Sequence, residues 1–175
     1  MREGLTIWFT GLSGAGKTTV SRPVEAELRE RGLPVEVLDG DVIRQNLSQG
    51  LGFTKEDRDT HIRRIAFVSK QLTRNHVATL VAAISPYREA REAARKEIGN
   101  FVEVYVRCPL GTCIARDTKG LYRKALEGAI PYFTGISDPY EEPLEPEIVL
   151  HTDQATPEEC AAKIPRRLQE LRYIT

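Results

Sequence analysis

A chain of 175 residues, with 25 Lys plus Arg balanced by 25 Asp plus Glu, has the length of one domain with a substantial core. Its zero net charge gives no bulk attraction for nucleic acid or an anionic membrane. Its 41% apolar content is ordinary, and no run approaches the roughly 18 apolar residues of a membrane span.

The opening MREGLTIWFTG lacks the apolar core and small-residue cleavage site of a secretory signal. Cys108, Cys113 and Cys160 show no paired metal-ligand spacing and read as reduced packing thiols in a cytoplasmic protein.

Short β-rich runs alternate with longer helical stretches, the pattern of a parallel sheet covered on both faces. Leu5–Thr10 is the first predicted strand. A helix follows from Gly16 to about Arg31, with Gly32 closing it as a C-cap. Pro34–Leu38 is the second strand. Thr54 is an N-cap for a helix through about Arg74, with Glu56 and Asp57 favourable in the first turn and Ile62, Ile65, Ala66, Ser69 and Leu72 on one face. Val77–Ile84 is apolar without alternation, hence a buried strand. Tyr87–Ile98 reads as a charged surface helix. Phe101–Val106 and Glu147–Leu150 supply two more strands. TPEE at Thr156 opens a last helix. Between about Asp117 and Pro146 the periodicity fails, and glycines, prolines, aromatics and basic residues mix. Such a segment in a compact chain points to a lid or binding loop.

Gly11-Leu12-Ser13-Gly14-Ala15-Gly16-Lys17-Thr18 satisfies G-x-x-x-x-G-K-[ST] at every position, between a strand and a helix. Small residues there allow backbone N–H groups to converge on a β-phosphate at a helix N-terminus. Lys17 would reach the β- and γ-phosphates of a nucleoside triphosphate, and Thr18 would offer its hydroxyl to Mg²⁺. No Asn-Lys-x-Asp base-reading stretch of a GTPase is present, and no lysine-free G-x-G-x-x-G supports a dinucleotide. The strand ending in Ile84-Ser85 carries no terminal acid. Asp39 and Asp41, at the end of the second strand, are therefore the carboxylates available to the metal's water shell or as a base. Asp41 also stands where it could cap the VIRQNL segment.

GLSGAGKTT, DGDVIRQNL, LGFTKEDR, ISPYR, KGLYRKA and FTGISDPYE, from residue 11 to about 141, occur in the order found in adenylylsulfate kinases, and the chain resembles that family. The resemblance implies a P-loop NTPase fold of kinase type: three α/β/α layers, a five-stranded parallel sheet and a mobile lid over about residues 117–146, all in one domain. It implies ATP-dependent phosphorylation of the 3′-hydroxyl of adenosine 5′-phosphosulfate (APS) in sulfate assimilation, with ATP and APS as small-molecule partners, Mg²⁺ as cofactor, and a homodimer. Another small-metabolite P-loop kinase, or an inactive nucleotide-binding regulatory protein, are the competing readings.

Residue by residue, the resemblance makes Lys17, Asp41 and Lys119 catalytic, with Asp41 taking the 3′-hydroxyl proton or ordering Mg²⁺ together with Thr18. The ATP site comprises Gly11, Ser13, Gly14, Ala15, Gly16, Lys17, Thr18 and Thr19, with Arg116 stacking on the ATP adenine. The APS site comprises Asp39, Asp41, Arg44, Phe53, Arg58, His61, Ile84, Ser85, Lys119, Leu121 and Phe133. Arg44 and Arg58, with Arg88 beside them, offer planar cations to the phosphosulfate. Phe53 and Phe133 would sandwich its adenine, although core packing explains them as well when they are read alone. His61 stands where the family usually has Asn, and a charge varying near neutral pH would make APS affinity pH-dependent. Thr118 replaces a common Pro in the lid. Ser85 falls where some relatives carry a phosphorylatable serine.

Overall fold

The structure is a computed structural model that describes residues 4–175. Five strands, β1 (Leu5–Thr10), β2 (Val35–Asp39), β3 (Ala78–Ala82), β4 (Phe101–Arg107) and β5 (Ile148–His151), form one sheet in the order β2-β3-β1-β4-β5. Every pairing is parallel, with Ile7 of β1 opposite Leu80 on one side and Val102 on the other.

The strand period of two divides β1 between the sheet faces. Leu5, Ile7 and Phe9 pack with Val20, Val24 and Leu28 of α1 (Lys17–Glu30) and Ile164 and Leu168 of α7 (Pro157–Glu170). Trp8 joins Ile62, Ile65 and Ala66 of α3 (Lys55–Arg74) and Ala94 and Ile98 of α4 (Arg88–Ile98). The fold is thus the three-layer α/β/α architecture that the strand–helix alternation requires.

Most predicted ends hold. The Thr54 hydroxyl accepts from Asp57 N–H at 3.2 Å, and Thr156 forms a reciprocal capping box with Glu159. The cap residue of α1 is Arg31 rather than Gly32. Gly32 lies one residue further, at φ 75°, donating to Arg29 C=O while Leu33 N–H reaches Leu28 C=O, which is a Schellman closure. The strand predicted over 77–84 is shorter, ending at Ala82, after which Ala83, Ile84, Ser85 and Pro86 line a cavity.

Three further corrections concern function. Asp39, not Asp41, caps the short α2 (Gly40–Asn46), accepting Asp41 N–H at 2.9 Å. The helix read as surface, α4, buries Arg91 as well as its apolar stripe. The segment 117–146 is only partly irregular, since α6 (Leu121–Leu126) lies within it, after α5 (Leu110–Arg116).

Candidate active site

All strands being parallel, their carboxyl ends lie at one edge, where a switch in strand order opens a crevice. Here β1 is the point of divergence between β3 and β4, and the loop after β1 is the glycine-rich turn. Gly11 has φ 155°, and a Cβ there would come 2.5 Å from Val106 C=O. Gly16 enters α1 at φ 102°. Lys17 Nζ donates to Gly11 and Leu12 C=O at 2.9 and 2.8 Å. Burial, aided by repulsion from Lys119, lowers the Lys17 pKa to about 8 against the attraction of Asp41.

From this loop a cavity of about 690 Å³ runs without a break to the aromatic residues of the far end. Ser13, Gly14, Gly16, Lys17, Thr18 and Thr19 line its phosphate end, whereas Gly11 and the buried Ala15 are not among the lining residues. At the centre stands the acidic pair. Thr18 Oγ1 donates to Asp39 Oδ2 at 3.0 Å, and Lys119 Nζ donates to the Asp41 carboxylate. The two carboxylates are therefore divided: one faces the P-loop hydroxyl and the other a lid cation. Asp117, at φ 25°, helps aim that cation. Its carboxylate accepts the N–H groups of Tyr122 and Arg123 at 2.9 and 3.1 Å, so it anchors the start of α6 immediately after Lys119.

At the far end Arg44 and Arg58 lie over one Phe53 ring, 4.7 and 5.4 Å from its centroid. Carbonyls hold both: Arg44 donates to Gly52 at 2.9 Å, and Arg58 to Phe53 and Tyr132 at 3.0 and 2.7 Å. Phe53 is 45% exposed and Phe133 only 8%. Both line the cavity, as do Ile84, Ser85 and Leu121. His61 also lines it, but its ring is buried, with Nδ1 2.8 Å from Ser48 Oγ. Loss of hydration, helped by the Arg44 charge, lowers its pKa to about 4. The expected charge change near neutral pH is thus overturned: His61 is neutral there.

The turn after β3 is fastened from below. Thr10 Oγ1 donates to Ile84 C=O at 2.7 Å, and Trp8 Nε1 to Ser85 Oγ at 3.0 Å. The Ser85 hydroxyl is directed to Ala83 C=O, and its backbone has φ 43°. Arg91, 3% exposed, donates to Ser85 C=O, Glu141 C=O and the Glu103 carboxylate at 2.6, 2.6 and 2.9 Å. Arg95 extends this network to Glu147 at 2.6 Å. Glu141, near the end of the predicted lid, and Glu147, just beyond it, are consequently tied to the body. Arg88 is not brought to the cavity. It donates through Nε to Glu142 C=O at 2.7 Å.

Sequence reasoning missed Thr152, whose hydroxyl donates to Ala15 C=O at 2.6 Å while its own C=O accepts Arg116 at 2.6 Å. Its position directly after the last parallel strand was the available signal. Tyr132 and Ile130 also line the cavity, with nothing in their local pattern to reveal it.

The family model for adenylylsulphate kinase matches residues 3–151. The adenylyl-sulfate kinase of Rippkaea orientalis is 60% identical over 173 residues, covering 99% of this chain and 96% of that protein. The structure of the Mycobacterium tuberculosis APS kinase CysC in complex with AMPPNP and APS superposes with a TM-score of 0.93 at 42% identity, covering 97% of this chain and 99% of that one. The hexameric APS kinase from Thiobacillus denitrificans gives 0.75 at 34% identity, covering 99% of this chain and 30% of that one. With a P-loop, an acidic pair and an aromatic-lined far end in one cavity, and a family match across most of its length, this chain belongs to the adenylylsulphate kinase family.

Proposed function

We propose that the chain transfers the γ-phosphoryl group of ATP to the 3′-hydroxyl of APS, giving 3′-phosphoadenosine 5′-phosphosulfate and ADP. The observation that carries this is the continuity of one cavity from the P-loop to Phe53 and Phe133, with Asp41 and Lys119 midway. The P-loop amides and Lys17 hold the donor phosphates, and Arg116, beside Thr152, faces its base. Arg44 and Arg58 meet the phosphosulfate, and Phe53 and Phe133 take the acceptor adenine between them. Asp41 aligns the 3′-hydroxyl and accepts its proton as the oxygen attacks phosphorus in line with the departing β–γ bridge oxygen. Lys119 offsets negative charge on the phosphoryl group in transit.

The Thr18 hydroxyl and Asp39 carboxylate, 3.0 Å apart, are hard oxygen donors that suit Mg²⁺. They fit the metal role better than Asp41, whose carboxylate is paired with Lys119. Bound there, Mg²⁺ would neutralise charge on the β- and γ-oxygens. Positioning supplies much of the rate, and the lid, which includes α6, excludes water that would otherwise hydrolyse ATP.

The reading includes a single catalytic unit, a homodimer and a cytoplasmic setting. Among the described residues no helix is long and apolar enough to cross a membrane. An ADP-release assay over APS, nucleoside monophosphates and gluconate tests the reaction. APS alone should support rapid release, with 3′-phosphoadenylyl sulfate as product. Preference for a sugar acid would favour another small-metabolite kinase, and ATP binding without turnover an inactive regulator.

A further inference from the structure

The lid and the P-loop meet at a buried side chain that lies outside the cavity lining. Tyr122, in the first turn of α6, is 1% exposed and is not among the residues lining the cavity. Its phenolic O–H donates to Ser13 C=O at 2.7 Å. Its ring also meets Phe133 edge-on, with centroids 5.1 Å apart and planes at 75°. Its backbone N–H is fixed by Asp117. One side chain therefore touches a backbone group of the phosphate end and the aromatic wall of the acceptor end, and its neighbour in sequence is the loop that carries Lys119.

A loop that wraps an anion turns its N–H groups inward, which turns carbonyls such as that of Ser13 outward. The orientation of the Ser13 peptide is thus set by phosphate on one side and read by the Tyr122 hydroxyl on the other. Burial pushes the phenol's pKa up, so it remains a neutral donor over the working pH range. Phe133 belongs to the same apolar cluster, its backbone N–H is held by Ser137 Oγ at 2.8 Å, and its ring has Tyr122 as an edge-on neighbour.

We propose that Tyr122 is a positioning residue that couples the two ends of the cavity, so that nucleotide on the P-loop tightens acceptor binding against Phe133. The inference rests on the assignment of ATP and APS to those ends. Coupling of this kind is reciprocal: the factor by which nucleotide helps APS equals the factor by which APS helps nucleotide.

Calorimetric titration of APS into the parent protein, with and without Mg²⁺ and β,γ-imido-ATP, measures that factor. A value of about fivefold or more is expected. Tyr122→Phe keeps the ring and removes the hydroxyl, and should bring the factor at least about twofold closer to one, a hydrogen bond being worth about two- to tenfold. A purely structural role would weaken both ligands without altering the ratio. Hydrogen exchange on the parent gives a second measurement: imido-ATP alone should slow exchange in α6 and at Phe133. A parent factor near one, an unchanged factor in Tyr122→Phe, or exchange in α6 indifferent to nucleotide would each overturn the coupling. A parent that binds imido-ATP but no APS would overturn the functional assignment beneath it, and the coupling with it.

Discussion

The two ends of the cavity are built from different material. The phosphate end is backbone: one contiguous loop whose small residues present N–H groups, aided by a single lysine. The acceptor end is side chains from separated segments, namely Arg44 on α2, Phe53 and Arg58 around the start of α3, the 83–86 turn and Phe133 beyond α6. A backbone site concentrates its requirements in one short motif and depends little on the rest of the molecule. A side-chain site depends on everything that holds those segments in register, including a buried ionic network under the turn.

The sharpest way to break the comparison is at the centre, where both ends meet. Asp41→Asn should lower kcat by about 10²–10⁴, the usual worth of a positioned proton acceptor, with imido-ATP affinity close to that of the parent. Unchanged turnover would remove Asp41 from the chemistry. Next in size is Arg91→Met, which leaves Glu103 buried without its closest cation. Arg95 stays 3.4 Å from Glu103, so urea unfolding should report a loss of up to about 3–5 kcal/mol, and a loss below about 1 kcal/mol would show that the acceptor turn does not depend on the network. Phe53→Ala acts on one end only. It should raise the KM for APS about five- to 150-fold, corresponding to roughly 1–3 kcal/mol of stacking, with the KM for ATP unchanged. Parallel rises in both constants would contradict the division of the cavity.

Two smaller effects follow from protonation. Lys17 has a pKa of about 8, so part of the population is neutral near that pH, and phosphate favours the charged form. Binding of imido-ATP at pH 8 should therefore take up a fraction of a proton, seen as a binding enthalpy that varies with buffer ionisation heat. Lys17→Arg should abolish the uptake. For His61 the folded value of about 4 lies below the ordinary 6.5, so the unfolded chain binds more protons between these values. The associated stability is complete above about pH 6.5 and is lost as pH falls toward 4. His61→Asn should remove that acid-side loss in melting temperature. Between pH 6.5 and 8 the KM for APS should show no inflection from His61, and one that disappears in His61→Asn would contradict a neutral ring.

This contrast also accounts for what the sequence disclosed. The P-loop and the strand–helix alternation were legible because each is encoded by neighbours: glycines beside a lysine, apolar residues at one period. The acceptor residues were legible only through resemblance to a family, since nothing local in Phe53 or Phe133 separates a base-stacking ring from a packed one. Three readings failed for physical reasons. Asp41 was considered as a cap, but Asp39 occupies that position by accepting the Asp41 N–H. His61 was expected to change charge near neutral pH, but burial beside Arg44 prevents it. Arg88 was placed at the substrate, but its guanidinium is held by Glu142 C=O. Each outcome turned on tertiary surroundings that one-dimensional spacing does not contain.

Single-turnover transfer from γ-labelled ATP tests the central claim most directly, that donor and acceptor occupy one cavity and exchange a phosphoryl group beside Asp41. In the parent with APS, the label should appear stoichiometrically on the 3′-oxygen of the product, and Asp41→Asn should slow its appearance by at least about a hundredfold. Label released as inorganic phosphate regardless of APS, or transferred by Asp41→Asn at the parent rate, would contradict it.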